Sequence, residues 1–267
     1  MSFFQRGYVR IAVDSVGQGP PLLLIHGFPL SRDLWTPVIR PLTESAGASG
    51  RRLVMPDLRG FGASTVTDSA TMAEYADDLA AVLDGLGVSG PAAVCGLSMG
   101  GYIAFELIRR HPARVGALII ADSRAGPDTP DAAKNRRDQA AKVLATGTSA
   151  VSDGMVDKLF AEGADPDLRE EWRDRMRRSP EKGVAAALLA MADRPDSTAT
   201  LAALRVPTLF IVGSEDRITP VEVAAAMADA TPGGRLVEIE GAGHLPPVER
   251  PDSFAAVVSG FLGPLGW

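Results

Sequence analysis

The 267-residue chain holds one cysteine, Cys95, and three histidines, His26, His111 and His244. One cysteine excludes an internal disulfide, and the histidines stand at none of the spacings that zinc sites use. The chemistry therefore falls to metal-free side chains or to a cofactor that this count does not reveal, and the expectation is that no cofactor is used. Aromatic residues make up 6% of the chain, and no window reaches the roughly 18 apolar residues of a membrane span. The leading MSFFQRGYVRIAV lacks an apolar run of signal-peptide length, so a cytoplasmic location without membrane attachment is expected. Positive charge is in deficit: 27 Lys and Arg against 33 Asp and Glu leave −6. That balance repels a phosphate backbone, so nucleic acid is not an expected partner. Composition says nothing of oligomeric state.

What is present, 46% apolar and 22% charged residues, describes a globular protein with one large core and room for an insertion. Charged residues crowd into 122–198, at about 36% of positions against about 17% elsewhere, and such a shift in composition marks an inserted segment. The expected boundaries are a core of 1–121 and 199–267 with a cap, or lid, at 122–198. Three or four amphipathic helices are expected within the cap, near 131–146, 152–161, 167–178 and 181–192.

Aliphatic runs stand at Tyr8–Val13, Pro21–Ile25, Arg52–Asp57, Ala92–Gly96, Ala117–Asp122, Thr208–Gly213 and Arg235–Glu240. Continuous runs such as LLLI and TLFIV suit strands buried on both faces of a parallel sheet. The first run alternates, and Gly17-Gln18-Gly19 leads into the second, which predicts an antiparallel hairpin. Thr71-Met-Ala-Glu74 and Thr219-Pro-Val-Glu222 read as helix-opening capping boxes. Strands alternating with helices imply a doubly wound α/β sheet, whose ligands bind beyond the carboxyl ends of the strands.

Directly after the AAVC run comes Gly96-Leu-Ser98-Met-Gly100-Gly101, then a helical segment. This G-x-S-x-G stands in the strand–turn–helix context that exposes a nucleophilic serine. A serine nucleophile needs a base, and His244, in the glycine-rich loop GAGHLPP after a late strand, is the candidate. His111 reads as a helix-terminal histidine and His26 as a loop-shaping one. The base needs a carboxylate to fix its tautomer. Asp216, after the TLFIV strand, is the candidate, with Asp122 and Glu215 as competitors. The oxyanion needs N–H donors, expected from Phe28 in His26-Gly-Phe-Pro29 and from Met99, the residue after Ser98.

Taken together, HGFPLSRDLW, PDLRGFGAS, CGLSMGGYIAFE, VGSEDRITP and GAGHLPPVERP resemble the α/β-hydrolase family over essentially the whole chain. The resemblance implies an eight-stranded, mostly parallel sheet covered by helices on both faces, with a helical cap inserted after strand six. A serine at the elbow argues against the dehalogenase and epoxide-hydrolase branches, which carry aspartate there. GLSMGGYIAFE with DSRAGPDTPDAAKNRR resembles serine carboxylesterases related to 3-oxoadipate enol-lactonases and cofactor-free haloperoxidase-like esterases. Asp57 and Arg59 are expected to shape their loop.

The expected activity is hydrolysis of a small-molecule carboxylic ester through an acyl-serine. A lactonase, or a perhydrolase or acyltransferase using the same triad, stands as the alternative, and a non-catalytic binding protein as the remote one. Candidate substrate-lining residues are Leu30, Leu159, Phe160, Trp172, Leu188, Leu189, Met191, Ile218 and Leu245. The charged residues Arg173, Arg175, Arg177 and Arg178, interspersed with carboxylates, read as a solvated helix face.

Overall fold

Val-, Ile- and Leu-rich runs assemble into one sheet in the computed structural model, which describes residues 1–45 and 50–267. The strands are β1 (Ser2–Arg6), β2 (Val9–Val16), β3 (Pro21–Ile25), β4 (Arg52–Pro56), β5 (Ala92–Leu97), β6 (Val115–Ala121), β7 (Thr208–Gly213) and β8 (Arg235–Ile239). Among the described residues they lie in the order β1-β2-β4-β3-β5-β6-β7-β8. β1 with β2 and β2 with β4 pair antiparallel, and every pairing from β4 through β8 is parallel.

Helices cover both faces: α1 (Ile39–Glu44), α2 (Met72–Gly85), α3 (Met99–Arg110), α4 (Pro130–Thr146), α5 (Ser149–Leu159), α6 (Pro166–Arg177), α7 (Glu181–Ala192), α8 (Thr198–Ala203), α9 (Val221–Asp229), α10 (Pro246–Glu249) and α11 (Pro251–Leu262). Consecutive strand residues point to opposite faces. Leu22, Leu24, Cys95, Ile119 and Leu209 therefore pack with Trp35 and the α11 residues Phe254 and Phe261. Their neighbours Leu23, Ile25, Val94, Leu118 and Phe210 pack with Tyr75 and Leu79 of α2 and Ile103 and Phe105 of α3. This two-sided burial is why the runs are continuously apolar. Burial also pushes the Cys95 thiol pKa up, so it serves as a small core side chain.

The expected hairpin between β2 and β3 does not form, because β4 lies between them. A Cβ at Gly17, which sits at φ +84, would overlap the carbonyl oxygen of Arg51. The Gly-Gln-Gly stretch thus passes the start of β4 rather than closing a tight turn, and it delivers PLLLI to the sheet interior. β2 instead pairs with β1, a strand that the aliphatic pattern missed because SFFQR carries no aliphatic residue.

Between β6 and β7 run α4 to α7, whose bounds lie within three residues of the expected ones. Asp128 fastens this segment: its oxygens accept from Arg136 Nε and Arg194 Nη1, each at 2.6 Å. Arg194 also lies 4.4 Å over the Tyr102 ring of α3. Arg173 pairs with Glu170, Arg175 with Glu171 and Asp33, and Arg177 with Asp153. Among the described residues, no helix is long and apolar enough to cross a membrane.

Candidate active site

The loops that leave the carboxyl ends of β3, β5, β6, β7 and β8 carry His26, Ser98, Asp122, Asp216 and His244. Ser98 has φ 54° and ψ −113°, a conformation that a side chain adopts only where its surroundings impose it. Its N–H donates to Ala121 O at 2.9 Å, and its carbonyl accepts from Ser123 Oγ at 2.7 Å and Gly101 N at 2.9 Å. A Cβ at Gly96 would overlap the Gly100 carbonyl, and one at Gly100 would overlap Ile25 O. The G-x-S-x-G spacing is thus dictated by close backbone approach around the turn.

The loop after β3 packs on that turn: a Cβ at Gly27 would stand 3.3 Å from Ser98 Cβ. His26, fully buried, shapes this loop. Its Nε2 accepts from Leu58 N–H at 3.0 Å and its Nδ1 donates to Gly27 O at 2.9 Å. Burial lowers its pKa, so the ring stays neutral. The adjoining Asp57 accepts from the N–H groups of Arg32 and Ala63 and pairs with the Arg32 guanidinium. Arg59 pairs with Asp78 at 2.6 Å. The N–H groups of Phe28 and Met99 have no protein acceptor among the described residues. Met99 opens α3, where N–H donors are left over by helix geometry.

His244 and Asp216 meet, with Nδ1 and Oδ2 2.8 Å apart. His244 Nε2 is buried and has no hydrogen-bond partner among the described residues, including Ser98 Oγ. Burial would raise the Asp216 carboxyl pKa, but His244 and Thr219 beside it hold it below the usual carboxylate value. Asp216 Oδ1 accepts from Ile218 N at 2.7 Å and Thr219 N at 3.1 Å, and Oδ2 accepts from Thr219 Oγ1 at 2.5 Å. The predicted capping box at Thr219 is therefore not formed. α9 starts at Val221 after Pro220, and the Thr219 hydroxyl serves Asp216 instead. Thr219 and Glu249 are the site residues that sequence reasoning missed. Glu249 accepts from Ala161 N at 2.8 Å and Gly243 N at 2.7 Å, and His244 N–H donates to Leu159 O at 2.8 Å. The histidine loop is thereby stitched to the end of α5.

Of the competing acids, Glu215 is exposed and accepts from Glu162 N at 3.1 Å. Asp122 lies beside the Asp216–His244 pair: one ligand atom from each of the three falls within 4.8 Å of the others. His111, at the end of α3, faces Asp77 at 2.8 Å. Among the expected lining residues, Leu30, Leu159, Phe160, Trp172 and Leu245 are buried in the core layer beside α11. Leu188 and Met191 are buried in the opposite layer, and Ile218 is half-buried. Leu189 is 38% exposed, in a surface cleft with Ala70 and Arg194, because it falls on the outer side of α7.

A family model described as alpha/beta hydrolase fold matches residues 20–251. A thermophilic esterase from Thermogutta terrifontis is 40% identical, covers 99% of this chain and 97% of its own, and superposes with a TM-score of 0.94. A pimeloyl-[acyl-carrier protein] methyl ester esterase of Xanthomonas campestris is 30% identical over 95% of this chain and 99% of its own length. The 3-oxoadipate enol-lactonase 1 of Acinetobacter baylyi is 28% identical over 95% and 92%. The chain belongs to the alpha/beta hydrolase fold family and is a hydrolytic enzyme.

Proposed function

We propose that the enzyme hydrolyses carboxylic esters of small to medium size through an acyl-serine, with Ser98 as nucleophile, His244 as base and Asp216 as acid. The observation that carries this reading is the state of His244: Nδ1 is held by Asp216, while Nε2 is buried and unpaired. A buried, unpaired ring nitrogen is an acceptor awaiting a donor, and the strained turn places Ser98, half-buried, at the same end of the sheet. A long serine–histidine separation without substrate is ordinary for such pairs.

As Ser98 Oγ attacks the carbonyl carbon, His244 Nε2 takes its proton, and the Phe28 and Met99 N–H groups receive the oxyanion. Collapse breaks the carbon–oxygen bond to the alcohol, which leaves with the proton from His244. Water then attacks the acyl-serine, giving its proton to His244, and the acid departs as Ser98 regains its own. Asp216 stays ionised throughout and stabilises the imidazolium.

Residues 122–198 form the cap domain in this reading. Leu30, Leu159, Phe160, Trp172, Leu188, Met191, Ile218 and Leu245 supply apolar surface between cap and core for the acyl or alcohol group. Lactones, as cyclic esters, would follow the same steps, and the likeness to an enol-lactonase supports them as a second substrate class. The test is a panel of short and long p-nitrophenyl esters, aryl esters and lactones, run on the wild type and Ser98→Ala. Loss of several orders of magnitude in kcat is expected from the variant. Retention of most of the activity overturns the mechanism. An acyl product formed on an acceptor other than water would identify a transferase.

A further inference from the structure

Asp122 directly follows β6 at φ 45°, one of two non-glycine residues with positive φ among the described residues; the other is Ser98. Its N–H donates to Ile211 O at 2.9 Å, continuing the β6–β7 ladder, while the positive φ turns the chain and the carboxyl reaches the end of β7. There Oδ1 accepts from Gly213 N–H at 2.8 Å. Oδ2 is buried and accepts from no N–H or O–H donor among the described residues, and the residue as a whole is 1% exposed. Asp216 and His244 stand within 4.8 Å, and no lysine or arginine pairs with Asp122 among the described residues.

Two buried carboxylates side by side, facing one histidine, cannot both hold a full negative charge at modest cost. Asp216 has the better claim to ionise: it accepts two N–H donors, a hydroxyl and the His244 ring. Asp122 accepts one N–H donor. We propose that Asp122 is a positioning residue that keeps its proton on Oδ2 and, through that O–H, donates a hydrogen bond to the Asp216 carboxylate. Burial, and then the Asp216 charge, push the Asp122 carboxyl well above the usual range, in agreement with this assignment. The remaining titratable groups facing it are Cys95, which burial keeps neutral, and Glu249.

The arrangement rests on Asp216 and His244 being the acid and base proposed above. The carboxyl pair then carries a single negative charge toward the imidazolium, and the added hydrogen bond fixes Asp216 against β6 as Thr219 fixes it from its own loop. No proton moves to or from Asp122 during turnover.

Three readouts on the full chain test this. Infrared spectra at neutral pH should show the carbonyl stretch of a neutral, buried carboxylic acid in the wild type and lose it in Asp122→Asn. Asn keeps an acceptor for Gly213 N–H and a donor for Asp216, so the acidic limb of the kcat/KM profile should stay in place. Asp122→Leu, which has neither, should lower kcat by about tenfold or more with KM little changed, and Asn should restore most of that loss.

An absent band, together with an acidic limb that Asp122→Asn moves down by about 2 pH units, overturns the proposal. That is the shift from removing a full charge about 5 Å away at an effective dielectric of about 20. Unchanged kcat in Asp122→Leu also overturns the positioning role, and if that variant does not fold, the band and the limb decide. Because the infrared band does not depend on turnover, failure of the Ser98 mechanism is separable from failure of this assignment.

Discussion

Replacing Thr219 by valine keeps the side-chain shape and removes one hydroxyl, so it isolates a single bond at the acid. Thr219 Oγ1 donates to Asp216 Oδ2 at 2.5 Å in a fully buried setting and also approaches His244 Nδ1 at 3.5 Å. A hydrogen bond to a charged group contributes about 1.5–3 kcal/mol, and Asp216 keeps its two N–H donors and His244. Folding stability should therefore fall by about 2 kcal/mol at neutral pH, read from urea melts. The lost bond stabilised the ionised carboxyl, whose folded-state pKa lies below the usual value. The penalty should then hold steady above the unfolded carboxylate pKa of about 4 and shrink as pH falls through the lower folded value. The freed Asp216 orients His244 less firmly, so kcat should drop about tenfold, about 1.4 kcal/mol of barrier, with KM unchanged. A variant within twofold of wild type in kcat, with the same urea midpoint, refutes the claim that Thr219 holds the acid.

Asp216→Asn should leave the fold intact and cost about 10⁴ in kcat, because the amide stabilises the wrong histidine tautomer; steady-state kinetics on a p-nitrophenyl ester read it. Glu249→Ala leaves the Ala161 and Gly243 N–H groups without their acceptor, at about 1–3 kcal/mol for each such group. Hydrogen exchange should quicken at both amides, and kcat should fall as the His244 loop loosens. Asp128→Ala strips the nearly fully buried Arg194 of its carboxylate, a break that costs about 3–5 kcal/mol, visible as a lower urea midpoint.

The parallel strands were legible because burial on both faces leaves long apolar runs, as in LLLI and TLFIV. Helices α4 to α7 were legible from amphipathic spacing and proline punctuation. β1 was not, since SFFQR is an exposed edge strand fixed by its pairing with β2. The β2–β3 hairpin failed for a related reason: Gly17 is a glycine because of Arg51, a contact 34 residues away in sequence. At the site, the elbow glycines and the histidine loop carry local signatures. Thr219 misled because Thr-Pro-x-Glu has the same sequence whether its hydroxyl caps a helix or binds Asp216. Asp122 stood out only as a competing acid, and its proximity to Asp216 emerges from the parallel pairing of β6 and β7.

The central claim is that Ser98 is the residue acylated during turnover. Titration with a fluorophosphonate, followed by peptide mass spectrometry, tests it directly. One adduct per chain on the peptide containing Ser98, with activity falling in proportion and no adduct in Ser98→Ala, is the predicted result. Full activity in protein completely modified at Ser98, or stoichiometric inactivation through a different residue, would contradict it.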